Sequence, residues 1–306
     1  MTFLFGAIYF AGVLGPPASG SAGQSVGVGI MVTAIVAAVL TSNPMRERVA
    51  RVLNLDPDNP VHGLALVLAV ILFGSQVALV TFVDVLAADM QQPPLTVLDL
   101  LAQELPFLII AVTGVGLFIR RDGKQTAIRL GVVRPAWWHI TLALAAAGVF
   151  LAFGQAVDSL SQAWTPDIWH KVDSTTRHIF GGLNTPVGIA AIAVLPAICE
   201  EILFRGALQP RLGLVVTALL FTSIHTQYSI SFDTFAVFVI ALGLGLIRKY
   251  TNTTTSAACH ATYNLLVSVF TGSLLGFAIG AEVALVAVTV YALWSRRRQM
   301  VTAINP

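Results

Sequence analysis

Long apolar runs, broken at short intervals by polar clusters, dominate the chain. The stretch GLALVLAVILFGSQVALVTFV lacks the strict alternation of a membrane-barrel strand, which argues against a barrel. A bilayer core of roughly 30 Å takes about 20 mainly apolar residues per helix. On that length the pattern predicts spans near residues 25–42, 62–86, 101–119, 138–160, 185–203, 212–228, 233–248, 254–272 and 274–294, with residues 1–14 as a further, partial one. Without water to satisfy the backbone, such runs must be helical. The expected fold class is therefore all-α, a polytopic transmembrane helical bundle of about 8–10 spans. The longest polar segments, near 43–61, 119–137 and 161–184, are too short to bury a core of their own. GPPASGSAG at 15–23 reads as an external turn. The stretch Met1–Leu14 has no cationic region before it and no clear cleavage box, so it is not read as a secretory signal.

Composition agrees with this pattern. The 306 residues are 56% hydrophobic and 10% charged, where a soluble domain carries roughly 25% charged residues. A net charge of +2 is too small to imply a nucleic-acid partner. Cys199 and Cys259 rule out a disulfide framework and a four-cysteine zinc site. Placement of charge says more than its total. Arg46, Arg48 and Arg51, Arg120 to Arg134, Arg205 and Arg211, Arg248 and Lys249, and Arg296 to Arg298 all fall on one face when nine spans alternate. Only Lys171 and Arg177 fall opposite. That asymmetry makes the basic loops and the C-terminal tail cytoplasmic in an integral, multi-pass membrane protein. Asp84, Asp89, Asp99, Glu104, Asp158, Asp167, Asp173 and Asp233 are assigned to the opposite loops and span ends.

An ionisable residue inside a span costs several kcal/mol, so each one is a functional candidate. In PAICEEILFR, Glu200 and Glu201 sit near the cytoplasmic end of an apolar helix. Glu201 and Arg205 have the i,i+4 order of a helical ion pair. On an α-helix Glu200 points roughly 100° away from Glu201, toward a different neighbour. Phe221-Thr-Ser-Ile-His225 puts a ring and an imidazole on one helix face, and His260-Ala-Thr-Tyr-Asn264 does the same with an imidazole and a carboxamide. At about 1.5 Å of rise per residue, His260 lies about 10 Å deep, Asn264 about 16 Å, His225 about 20 Å and Glu200 up to about 15 Å. All four can then meet in the cytoplasmic half of the bundle. The bland reading, a structural Glu201–Arg205 salt bridge, leaves Glu200 unaccounted for.

Glu-Glu-x-x-x-Arg at 200–205, Phe-x-x-x-His at 221–225 and His-x-x-x-Asn at 260–264, in that order on successive apolar helices, resemble the three motifs of the CAAX-protease and bacteriocin-processing family. These are intramembrane endopeptidases related to the type II CAAX prenyl endopeptidase. The resemblance covers roughly residues 185–275, leaving 1–180 as N-terminal membrane helices of unassigned role and 276–306 as a last span with a basic tail. It implies a protease in which Glu200 and His225 activate a water. His260 and Asn264 would donate to the oxyanion, while Glu201 and Arg205, with Phe221, support the site. A positioned base contributes about 10²–10⁴ in rate and an oxyanion donor about 3 kcal/mol. The expected partners are membrane lipid and a peptide or lipidated protein.

No cofactor is favoured. Zinc is the alternative, with Glu200, His225 and His260 as ligands, though no His-Glu-x-x-His is present. Asn264 as an oxyanion donor suits the metal-free version better. Cys199 and Cys259 read as small buried hydrophobes. Glu282, inside the last span, has no evident partner in sequence. Ser256 is assigned to its own helix backbone, and Gly243 and Gly245 to close helix packing. Two rival functions stand: a non-catalytic member of the same family, serving toxin immunity or scaffolding, and a proton-coupled transporter. The transporter needs an ionisable residue deep in the N-terminal half, where the sequence places none.

Overall fold

The computed structural model describes residues 21–269 and 275–304. The expected partial span at 1–14 and most of the 15–23 turn lie outside them. Among the described residues the chain is helical throughout, an all-α polytopic bundle without strands. Its helices are α1 (Ser21–Thr41), α2 (Asn43–Val52), α3 (Pro60–Phe82), α4 (Val85–Asp89), α5 (Val97–Gly114), α6 (Gly123–Leu130), α7 (Trp137–Trp164), α8 (Pro166–Phe180) and α9 (Pro186–Glu200). A π-helical segment (Glu201–Leu208) follows, then α10 (Gln209–Leu212), α11 (Leu214–Ser223), α12 (Phe232–Tyr250), α13 (Thr253–Val269) and α14 (Leu275–Ile304).

Each of the nine expected spans coincides with a helix, but fewer are built to cross a bilayer alone. Among the described residues four are long and apolar enough: Pro60–Phe82, Val97–Gly114, Trp137–Trp164 and Pro186–Leu212. Counting the bent pair α1–α2 as one broken span makes five. The expected span at 212–228 is the clearest correction. Helix α11 has ten residues, about 15 Å of rise, and stops at Ser223. The apolar run is long enough, but the chain leaves the helix before His225.

The chain divides into two compact units. The first comprises Met1–Pro94, Asp158–Gly181 and Leu208–Leu242. Within it α1 lies along α3, and a Cβ on Gly74 would come within 2.4 Å of the Thr33 side chain. A small residue here lets the two backbones approach, as helix pairs in lipid require. Beyond the end of α3, Val85 and Leu86 of α4 and Val172 of α8 form a small core, with Leu79, Val80, Val83 and Tyr228 packed on it. Helix α8 is amphipathic, burying Val172 and Thr175 while Lys171 and Arg177 stay exposed.

The second unit comprises Leu95–Val157, Gly182–Ala207 and Gly243–Pro306. Helix α9 packs between α5 and α13. Thr185 caps its N-terminus by accepting from the Gly188 N–H, with Pro186 in the first turn, where a missing N–H costs nothing. The polar loop after α5 is tied to this centre. Gly131 ends α6 in the left-handed region (φ 72°), and its carbonyl accepts from the Thr253 N–H at 3.0 Å. Thr253 Oγ1 donates to Leu130 O at 2.5 Å, and Thr254 Oγ1 accepts from the Val133 N–H at 3.1 Å. Gly243 fulfils its expected role, since a Cβ there would meet the Phe150 ring at 2.4 Å.

Candidate active site

Two prolines shape the helix that carries the glutamates. A proline offers no N–H to the carbonyl four residues earlier, and in lipid no water replaces it. For Pro196 that carbonyl is Ile192 O, and Asn264 Nδ2 donates to it from α13 at 3.3 Å. For Pro210 it is Gly206 O, and Arg129 Nη1 donates there from α6 at 3.1 Å. Between the prolines the helix widens to the π form over Glu201–Leu208. π-Helical turns are rare and recur at functional sites. The sequence predicts ordinary α-helix here.

The wider turn holds a buried polar centre. Glu201 is 0% and Arg205 1% exposed, with Arg205 Nη1 2.9 Å from Glu201 Oε1. The expected i,i+4 pair is present. Two donors from α13 complete the carboxylate. Ser256 Oγ lies 2.5 Å from Glu201 Oε2 and donates to it, with Leu244 O at 3.0 Å as a second acceptor within reach. His260 Nδ1 donates to Glu201 Oε1 at 3.2 Å. Ser256 therefore serves a neighbouring helix, not its own backbone as the sequence suggests.

His260 also reaches the other glutamate. Its Nε2 is 4.0 Å from Glu200 Oε2, so one imidazole stands between the two carboxylates, a nitrogen toward each. Arg205 holds Glu201 while Glu200 points elsewhere, as expected, and His260 reaches both carboxylates. Their directions diverge, but the two nitrogens of one ring diverge as well. Glu200 is buried and its Oε2 has no hydrogen-bond partner among the described residues. Cys199 and Cys259 are buried and unbridged.

Asn264 stands one turn beyond His260 on α13. An amide carries two N–H donors, so the bond to Ile192 O leaves the group able to donate a second.

His225 and Phe221 belong to the first unit. The Phe221 ring is buried, and the His225 ring lies 4.7 Å from it between centroids. His225 Nδ1 lies 2.9 Å from Phe221 O. A carbonyl only accepts, so Nδ1 carries the proton and Nε2 of the neutral ring is left as the basic nitrogen. Tyr228 stacks on the imidazole at 6.3 Å and packs against the small core beyond α3. The His225 turn thus sits at the end of α3 remote from helix α2.

One functional candidate is not singled out by the sequence at all. The charge pattern puts Glu104 at a span end, yet it is 7% exposed and its Oε2 has no hydrogen-bond partner among the described residues. The available signal is spacing, since Leu100, Glu104 and Ala111 share the buried face of α5. Its burial also removes the ground held against a transporter, that the N-terminal half has no deep ionisable group. Glu282, by contrast, is partly buried on α14, and a Cβ on Gly148 would come within 2.0 Å of its Oε2.

Among the described residues no three His, Cys, Asp or Glu side chains cluster so as to hold a metal ion.

Residues 182–266 match a family model described as Rce1-like, the type II CAAX prenyl endopeptidase Rce1-like family. The match spans all three motifs. Over 148 residues the chain is 29% identical to an uncharacterized protein, YpbD, of Bacillus subtilis (strain 168), covering 47% of this chain and 73% of that protein. No solved structure matches the chain.

Proposed function

From an Rce1-like segment at 182–266 inside an integral multi-pass membrane protein, we propose that the chain is an intramembrane endopeptidase. One observation carries this reading: a buried pair of adjacent glutamates, straddled by a single imidazole, in the segment that matches the family.

Glu200, with an unsatisfied carboxylate oxygen, is the base. It takes a proton from water as the water oxygen bonds to the peptide carbonyl carbon. On the motif match alone, His225 is assigned as its partner in activating that water. His260 and Asn264 supply donors to the oxyanion. In that role His260 acts through Nε2, because Nδ1 is occupied by Glu201. Glu201, Arg205 and Ser256 hold His260 in place. Collapse of the oxyanion breaks the C–N bond, and the amine leaves with a proton. Preorganised donors of this kind are worth about 3 kcal/mol each. The site works without metal, and the basic loops and tail face the cytoplasm, from which a peptide or lipidated protein enters.

Membranes from cells carrying wild type and Glu200→Gln test this directly. A peptide or protein that accumulates with the variant, and that purified wild type cuts, is the expected result. Glu200→Gln and His225→Ala should each lower that cleavage about 10²-fold or more. Wild-type rates in either variant would sink the assignment.

A further inference from the structure

The mechanism above leaves Glu104 unused. Helices α5 and α9 pack together, and one contact fixes the level at which they meet. The rings of Phe107 and Phe204 lie edge to face with centroids 6.1 Å apart. One turn before Phe107 is Glu104, and one turn before Phe204 is Glu200. The two glutamates therefore lie on turns that adjoin this contact, on helices that pack together. Each presents a buried Oε2 without a hydrogen-bond partner among the described residues. Two adjacent buried carboxyls do not both ionise, and unsatisfied oxygens in such a place call for a proton or a water.

We propose that Glu104 and Glu200 form a carboxyl pair that shares one proton and holds the attacking water, making Glu104 a second catalytic residue. The inference rests on the proteolysis reading of the site and adds to it the origin of the leaving-group proton. Glu200 accepts a proton from the water, whose oxygen bonds to the carbonyl carbon. When the C–N bond breaks, its electron pair stays on nitrogen, and that nitrogen takes the proton Glu104 held. Glu200 then passes the water-derived proton to Glu104, which restores the pair. The acid product keeps the water oxygen. Glu104 lies outside the matched segment, so this would be a contribution of the N-terminal helices to the site.

The other groups around the pair are Cys199, Glu201 and Arg205 on the glutamate helix and His260 on α13. All remain unchanged in the two variants that test the proposal. Infrared spectra of the purified full chain, with ¹³C-labelled glutamate, report the protonated carboxyl band against pH for wild type, Glu104→Gln and Glu200→Gln. Groups that share a proton titrate as a unit, so replacing either residue should move the midpoint of the remaining one by about one pH unit or more. In parallel, Glu104→Gln should lower kcat by about 10²-fold with little change in KM, while Glu104→Asp keeps part of the rate. Midpoints that ignore the partner substitution overturn the pair. A Glu104→Gln protein that cuts at the wild-type rate overturns its catalytic role. Failure of wild type to cut any membrane protein would instead remove the proteolysis reading, while the reciprocal infrared shift still decides the pair.

Discussion

Removing the Arg205 guanidinium tests the physics of the centre most sharply. Arg205 and Glu201 are both buried, at 1% and 0% exposure, and meet at 2.9 Å. Arg205→Met preserves much of the volume but leaves a carboxylate in an apolar bundle. Ser256 and His260 remain as its donors. Breaking one side of a buried pair costs about 3–5 kcal/mol, because the surviving charge stays desolvated. Replacing both sides, as in Glu201→Gln with Arg205→Met, removes that charge and is far cheaper than the sum of its parts. The assay is reversible unfolding of purified protein in mixed micelles for wild type, both single variants and the double. The coupling energy from this cycle should be at least about 2 kcal/mol. A value below about 0.5 kcal/mol, within ordinary additivity, would refute the claim that Arg205 serves chiefly to neutralise Glu201.

Other outcomes follow from individual contacts. A Cβ on Gly188 would lie 2.3 Å from the Leu183 carbonyl oxygen, and one on Gly243 would lie 2.4 Å from the Phe150 ring. Both alanine variants should lose stability by about 1–3 kcal/mol in the same unfolding assay. Phe150→Leu should rescue Gly243→Ala, whereas no side-chain trimming at Leu183 should rescue Gly188→Ala, because backbone cannot move aside. Pro196→Ala restores an N–H that competes with Asn264 for Ile192 O. Cleavage should fall in that variant while its unfolding midpoint holds or rises, and unchanged cleavage would mean that the carbonyl does not position Asn264. Dialysis against a chelator should leave cleavage intact, and activity regained only with zinc would overturn the metal-free mechanism.

Much of the site is legible in the amino-acid sequence. Three short motifs, each with a polar group where lipid tolerates none, single out Glu200, Glu201, Arg205, Phe221, His225, His260 and Asn264. The ion pair is readable because its partners lie on one helix at a spacing that local geometry fixes. Ser256 and Glu104 are not readable in the same way. Ser256 looks like any hydroxyl satisfied by its own backbone until α13 is set against the π-helical turn. Glu104 lies only seven residues into α5, so its position along the chain suggests the water interface, and its burial depends on α9 covering it.

Hydrophobic run length alone determined that this protein is an all-α membrane bundle, because the lipid demand for a satisfied backbone admits few other solutions. It also placed a helix in each of the nine expected spans, but not α2, α6 and α8, which form in the polar segments between them. Run length could not show where a helix ends, so the halt of α11 before His225 belongs to the tertiary structure. The same holds for the widened turn at Glu201, whose flanking prolines leave carbonyls that side chains from α6 and α13 reach. Periodicity reports which residues share a face. Which faces meet is decided by packing, and packing is what brought a single imidazole between two glutamates.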